Sequence, residues 1–258
     1  MARDDLDPTS WDDEASWGTA PVGTTEPAAV CRDVHKVYVI TGGRGGKGRE
    51  PEEVHALTAV DKEFPAGRVT TIVGPSGSGK SSLLRILACA DRPTSGSVRV
   101  GGQEIADLGV RKRRALRKTE VGYVFQNPAD NLVEYLRCAE QVRLAARLRG
   151  LKPGPAEIDR LLELLGLTSR ADHLSVQMSG GEQQRLSFAC AVVGRPAIVV
   201  ADEPTAELDS ASADRVLQAV HDLREEGVAF LVSSHDPRVV EMADHLLRLE
   251  HGRVVESW

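Results

Sequence analysis

A chain of 258 residues with 41% hydrophobic and 27% charged residues has ordinary globular composition and enough length to bury one large core with a subdomain. Its net charge of -6 traces to residues 1–27, where seven acids (Asp4, Asp5, Asp7, Asp12, Asp13, Glu14, Glu26) face Arg3 alone, so the remainder is close to neutral. That balance argues against a nucleic-acid binder, which ordinarily carries a net basic domain because Lys and Arg contacts to phosphate supply most non-specific affinity.

The opening residues MARDDLDPTS have neither a basic n-region nor an apolar h-region, so they do not read as a secretory signal and the chain is expected in the cytosol. No window reaches the ~18 consecutive apolar residues of a membrane span, so any membrane partner is expected to be another chain. Residues 1–27, rich in Asp, Pro, Thr, Ser and Gly, read as a disordered acidic tail in which Trp11 and Trp17 are occasional aromatics. A strand is expected from Ala29 to Ile40, then a Gly- and charge-rich surface hairpin loop over 41–53, with structure resuming near Val54. Beyond Gly67, short apolar strands alternate with helices: VTTIVG before a helix from Lys80, VGYVFQ before mixed helices, AIVVAD before a helix from Ser210, and VAFLVSS before a helix from Pro237. Such alternation implies a mainly parallel sheet flanked by helices. Between Gln126 and about Gly194 the strand signal vanishes, which predicts a helical subdomain, about 127–194, inserted in the α/β core. The basic stretch VRKRRALRK at 110–118 is the best feature for a nucleic-acid reading, although charge runs are more often solvated faces or stretches near membrane lipid. Cys31, Cys89, Cys138 and Cys190 form no CxxC pair and read as packing residues.

Three segments carry chemistry that follows from the residues themselves. Gly74, Pro75, Ser76, Gly77, Ser78, Gly79, Lys80 and Ser81 match GxxxxGK[ST] between an apolar strand and an apolar-periodic helix, which marks a P-loop. Its glycines turn backbone N–H groups toward phosphate oxygens, Lys80 bridges the β- and γ-phosphates, and the Ser81 hydroxyl suits magnesium; Ser82 follows on the helix. Asp202, ending a buried strand, is placed to hold that metal, and Glu203 to polarise the attacking water as general base. Further on, Ser179, Gly180 and Gly181 open the helix EQQRLSFACAVV and expose N–H groups suited to an anion.

From about Ala28 to the C-terminus the sequence resembles the nucleotide-binding subunits of ABC transporters, most specifically through Met178-Ser179-Gly180-Gly181-Glu182-Gln183-Gln184-Arg185, which is similar to the LSGGQ signature. The resemblance implies a P-loop NTPase fold with a mainly parallel core sheet, an antiparallel β subdomain near the N-terminus and the inserted helical subdomain. It implies ATP and Mg2+ as cofactors, and a signature at Ser179, Gly180 and Gly181 that contacts the γ-phosphate of ATP held by the opposite subunit. Gln126 matches the Q-loop glutamine that reaches magnesium and the attacking water. His235 matches the switch histidine on the γ-phosphate, Asp209 the D-loop that crosses the dimer interface, and Tyr38 the aromatic that stacks on adenine. At Glu207 the family more often has a small or amide residue. The segments GPSGSGKSSLLRILACADRP and VGYVFQNPADNLVEYL are similar to the branch that serves lipoprotein release and macrolide export with FtsX-like permeases, although that branch usually has a Pro and a Thr near Glu134 and Arg137. The expected assembly is a homodimeric motor bound to a separate permease at the inner face of the cell membrane. The alternatives are an ATPase switch that activates an extracytoplasmic enzyme, as in the cell-division member of the branch, and a soluble ABC-type ATPase acting on nucleic acid.

Overall fold

The computed structural model describes residues 26–40, 52–206 and 208–258. The expected tail up to residue 25, the loop from 41 to 51 and Glu207 lie outside the described residues. Two long strands, β1 (Ala29–Ile40) and β2 (Glu52–Phe64), pair antiparallel, and β4 (Ser95–Val100) and β5 (Gln103–Glu104) extend them into a sheet of order β2-β1-β4-β5. The second sheet has the order β10-β9-β3-β8-β7-β6, built from β3 (Val69–Val73), β6 (Val121–Val124), β7 (Ile198–Asp202), β8 (Ala229–Ser233), β9 (His245–Glu250) and β10 (Arg253–Ser257). All its pairings are parallel except β10 on β9.

The central strands are apolar at nearly every position because both faces are covered, the pattern of a parallel sheet between layers. Along β7, Val199 and Ala201 face a core shared with α3 (Cys138–Leu148), α4 (Pro155–Leu164), α5 (Gly180–Val192) and α6 (Ser210–Glu225). Ile198 and Val200 face a second core filled by α1 (Lys80–Leu87) and by Val34, Leu57, Phe64 and Val98 of the antiparallel sheet. Period-two alternation therefore assigns successive residues of one strand to two different cores. The expected helices between 127 and 194 form, and α2 (Val110–Glu120) covers the basic stretch.

Three details differ from expectation. The first hairpin extends further, with Ile40 paired to Glu52, because cross-strand hydrogen bonds continue through residues whose composition signals a loop. The helix expected from Pro237 is short: α7 (Pro237–Met242) ends before a β9–β10 hairpin that sequence periodicity did not reveal. The strand β4 also went unread, although Val98 and Val100 alternate before the Gly101-Gly102 turn.

Candidate functional site

The six residues 74–79 must turn the chain between the end of β3 and the start of α1. Gly74, Gly77 and Gly79 have φ of 147°, 76° and 104°, the left-handed region that glycine adopts without a Cβ penalty. A Cβ at Gly74 would collide with the Leu249 carbonyl and one at Gly79 with the Ala56 carbonyl, whereas at Gly77 it would meet nothing within 4 Å. The missed hairpin explains this crowding: the Gly252 N–H donates to the Ser78 carbonyl at 3.0 Å, and the Gly252 carbonyl accepts from Thr58 N–H at 2.8 Å. The loop thus stands on β2 and the β9–β10 turn while Pro75, Ser76 and Gly77 face solvent. The buried Ser78 hydroxyl has no hydrogen-bond partner among the described residues, a polar atom left unmatched inside the loop. Lys80 Nζ donates to the carbonyls of Gly74 (2.6 Å) and Pro75 (3.1 Å), which folds the ammonium back along the loop. Gly79 caps α1 with no side-chain bond, leaving first-turn N–H groups available to an anion, and Ser82 sits half-buried in that turn.

The Ser81 hydroxyl donates to Asp202 Oδ2 at 3.1 Å, bringing the two expected metal ligands together across the sheet. Their oxygen donors suit a hard divalent cation. Among the described residues no group of three or more His, Cys, Asp or Glu offers another ligand set. One residue on, Glu203 has φ 47°, an unusual backbone for a non-glycine residue that swings its side chain out of the strand's alternation. Its carboxylate accepts from the His235 N–H at 3.3 Å, and Oε1 lies 3.7 Å from His235 Nε2. Glu203 and His235 are therefore neighbours, held from β7 and the end of β8 by the Glu203 N–H to Ser233 carbonyl bond at 2.8 Å.

A second group lies on α5 and α6. Ser179 caps α5 through a reciprocal box: its hydroxyl accepts from Glu182 N–H at 3.3 Å and its own N–H donates to Glu182 at 2.9 Å. Met178 is buried beneath it. Asp209 caps α6 by accepting from Ser212 N–H at 2.9 Å, and hydrogen bonding to the Ser212 hydroxyl, then to this N–H, holds its carboxyl below the usual aspartate range. Gly181 packs against Ser212, whose hydroxyl accepts from the buried Arg185 at 2.9 Å. No hydrogen bond or ion pair among the described residues joins this group to Lys80, Asp202 or Glu203. The described residues thus form two groups, one around the loop after β3 and one at the starts of α5 and α6.

Gln126 is exposed two residues beyond β6. Asn131 clasps the chain around it, accepting from Phe125 N–H (2.8 Å) and donating to the Tyr123 carbonyl (2.9 Å). Tyr38 is pinned near the end of β1, its hydroxyl donating to Asp91 at 3.1 Å and its ring lying 4.7 Å from the Lys36 ammonium. Burial pushes the Asp91 carboxyl up, but hydrogen bonds from Lys36 and the Arg92 N–H outweigh it and hold the group low.

The ABC transporter family model matches residues 57–206, more than half of the chain. The chain belongs to that family. Among its relatives is a "Lipoprotein-releasing system ATP-binding protein LolD 1" from Rhodospirillum rubrum, 39% identical over 80% of this chain and 92% of the relative. A "Macrolide export ATP-binding/permease protein MacB" from Escherichia coli K12 is 37% identical over 80% of this chain, which spans only 32% of that longer protein. The ATP-binding cassette MJ0796, solved as a dimer in a post-hydrolysis state bound to ADP and Pi, has a TM-score of 0.76 at 31% identity, covering 89% of this chain and 97% of that one. This ABC protein is accordingly an ATPase with the cassette fold.

Two buried glutamines hold segments in place through partners that a single sequence does not reveal. Gln184 of α5 is buried and donates to the Phe125 carbonyl at 3.2 Å, tying α5 to the segment after β6. Gln141 anchors the segment after the Q-loop by bonding both polar backbone groups of Val133, at 3.1 and 2.6 Å. Each is a polar residue in a helix whose partner lies elsewhere in the chain, so only the folded arrangement reveals it.

Proposed function

We propose that this chain is the motor subunit of a membrane transporter, in which two copies close around two ATP molecules and the closure drives a separate permease. The observation that carries the reading is the separation of the two half-sites: the phosphate loop with Ser81, Asp202, Glu203 and His235 on one side, and the α5 N-terminus with Asp209 on the other. Closure of each ATP site then needs the second copy's Ser179, Gly180 and Gly181, and its Asp209 crosses the interface. The dimeric state of the cassette MJ0796 and the names of the LolD and MacB relatives support dimerisation and transport.

In this reading the loop amides and Lys80 bind the β- and γ-phosphates, and Tyr38 offers its ring to adenine. Ser81 and Asp202, with Gln126, would hold Mg2+, which supplies charge neutralisation on the phosphates. Glu203 takes up the proton of the attacking water, and His235 hydrogen-bonds the γ-phosphate from beside it. A groove of about 730 Å³ leads from Ser81 and Asp202 past Tyr123 and Phe125 to Leu148 and Arg149. It connects the nucleotide site with the helical layer, where the exposed Glu134 and Tyr135 would meet the permease. The subunit would thus work in the cytoplasm, at the inner face of the membrane; no described helix is long and apolar enough to cross it.

The deciding experiment is Glu203→Gln, which keeps shape and removes the proton acceptor. Turnover should fall ~100-fold or more while ATP binding survives. Light scattering should show monomers without nucleotide and dimers with ATP, because a ligand bridging two copies favours the dimer by mass action. A variant that binds ATP and stays monomeric sinks the shared site, and one that turns over normally removes Glu203 from catalysis.

A further inference from the structure

Helix α2 carries six cations, Arg111, Lys112, Arg113, Arg114, Arg117 and Lys118, within nine residues of a chain whose net charge is -6. None of the six forms an ion pair with a carboxylate among the described residues; Arg113 alone has a polar partner, the Leu108 carbonyl at 3.5 Å. Asp107 and Glu120 bracket the helix without neutralising it. Only Leu116 is buried. At about 100° per residue, Arg111, Arg114, Arg117 and Lys118 fall within an arc of roughly 120° on the side away from Leu116. Like charges at these spacings repel and weaken the helix unless anions cover them.

Position separates this face from an ordinary solvated one. Arg117 and Lys118 line the same groove as Phe125 and Leu148, which are 41% and 60% exposed. Cations and exposed apolar side chains on one surface are the composition of a face that meets a bilayer interface. A duplex nucleic acid fits less well, because the rest of the chain adds no net positive charge to extend the contact along a phosphate backbone.

We infer that the Arg111/Arg114/Arg117/Lys118 face of α2 seats on the anionic headgroups of a membrane surface and orients the ATPase beside its permease. The orientation rests on the transporter reading above; the lipid contact is a property of the isolated chain. The attraction of each cation to an anionic surface falls off within a Debye length, so it weakens as salt is added.

Flotation of the full chain tests this with vesicles of phosphatidylcholine alone and of phosphatidylcholine mixed with phosphatidylglycerol. The parent chain should float with the mixed vesicles only and be released by salt. The variant with Arg111→Glu, Arg114→Glu, Arg117→Glu and Lys118→Glu should partition ~100-fold less or weaker still, with an unchanged melting temperature. The milder set of four Gln substitutions should fall between and keeps the test valid if charge reversal impairs folding. Equal flotation with both vesicle types, or with neither, overturns the inference, as does undiminished binding by the Gln set. Tighter retention by duplex DNA at matched phosphate concentration overturns it in favour of nucleic acid. ATP-driven dimerisation of Glu203→Gln is read without lipid, so motor and membrane contact can fail separately.

Discussion

Single residues in the phosphate loop differ sharply in what they tolerate, although the motif treats its glycines alike. Gly77 faces open space, so Gly77→Ala meets only the left-handed backbone penalty, about 1 kcal/mol. Gly74→Ala adds a collision with the Leu249 carbonyl, which belongs to a paired strand and cannot move aside, and should cost about 3 kcal/mol. Urea denaturation of both variants measures the difference, and equal losses would show that β9 does not buttress the loop. At this scale the motif was legible because chemistry demands its residue types. The unequal burden on its glycines was not, since Leu249 and Gly252 lie far along the chain.

Among the elements, α5 carries the most consequences. Its N-terminus is ordered by the Ser179–Glu182 box, and Glu182 also pairs with Arg170 at 2.8 Å. The Arg170 hydrogen bond, opposed in part by burial, holds the Glu182 carboxyl below the usual glutamate range. A carboxylate with a depressed folded-state pKa stabilises the fold above its unfolded value and loses that contribution as pH falls through the folded value. The stability gap between the parent chain and Glu182→Gln should therefore be full above about pH 4.5, the ordinary glutamate value, and shrink on further acidification. Thermal melts across that range check it; a gap independent of pH would mean that Glu182 acts by hydrogen bonding alone. The position of α5 and its polar opening were readable from residues 179–185. Its tie to the Q-loop through Gln184 was not, because a glutamine inside a helix gives no sign of which carbonyl it will reach.

For the whole molecule, the groove between core and helical layer runs from Ser81 and Asp202 to Leu148 and Arg149. Tyr135 is 79% exposed, yet the backbone beside it is fixed by Gln141 and by Ser175, whose hydroxyl reaches the Val133 carbonyl at 3.3 Å. An exposed aromatic on an anchored segment is built to be touched. Tyr135→Ala should leave the basal ATPase of the isolated chain within about twofold, since it removes no buried contact, and on the transporter reading proposed above it should weaken stimulation by a permease. Parallel loss of both activities, measured with and without the membrane partner, would place Tyr135 in support of the catalytic fold instead.

What the sequence by itself determined is the candidate motifs and their order: a glycine-rich loop after a buried strand, an Asp-Glu pair after another, and a glycine-rich helix start between them. Each is local, encoded in adjacent residues whose types the reaction dictates, and the apolar runs that hold them declare a sheet buried on both faces. Only the tertiary structure decided which of these elements meet. Ser81 reaches Asp202 and Glu203 reaches His235 because β3, β8 and β7 are neighbours in the sheet although far apart in the chain. The signature and Asp209 fall together elsewhere, on α5 and α6. The closing hairpin that supports the loop, and the side of α2 that is left bare, likewise follow from which surfaces pack against which. Such pairings join residues distant along the chain and depend on the summed burial of two cores, which no single segment encodes.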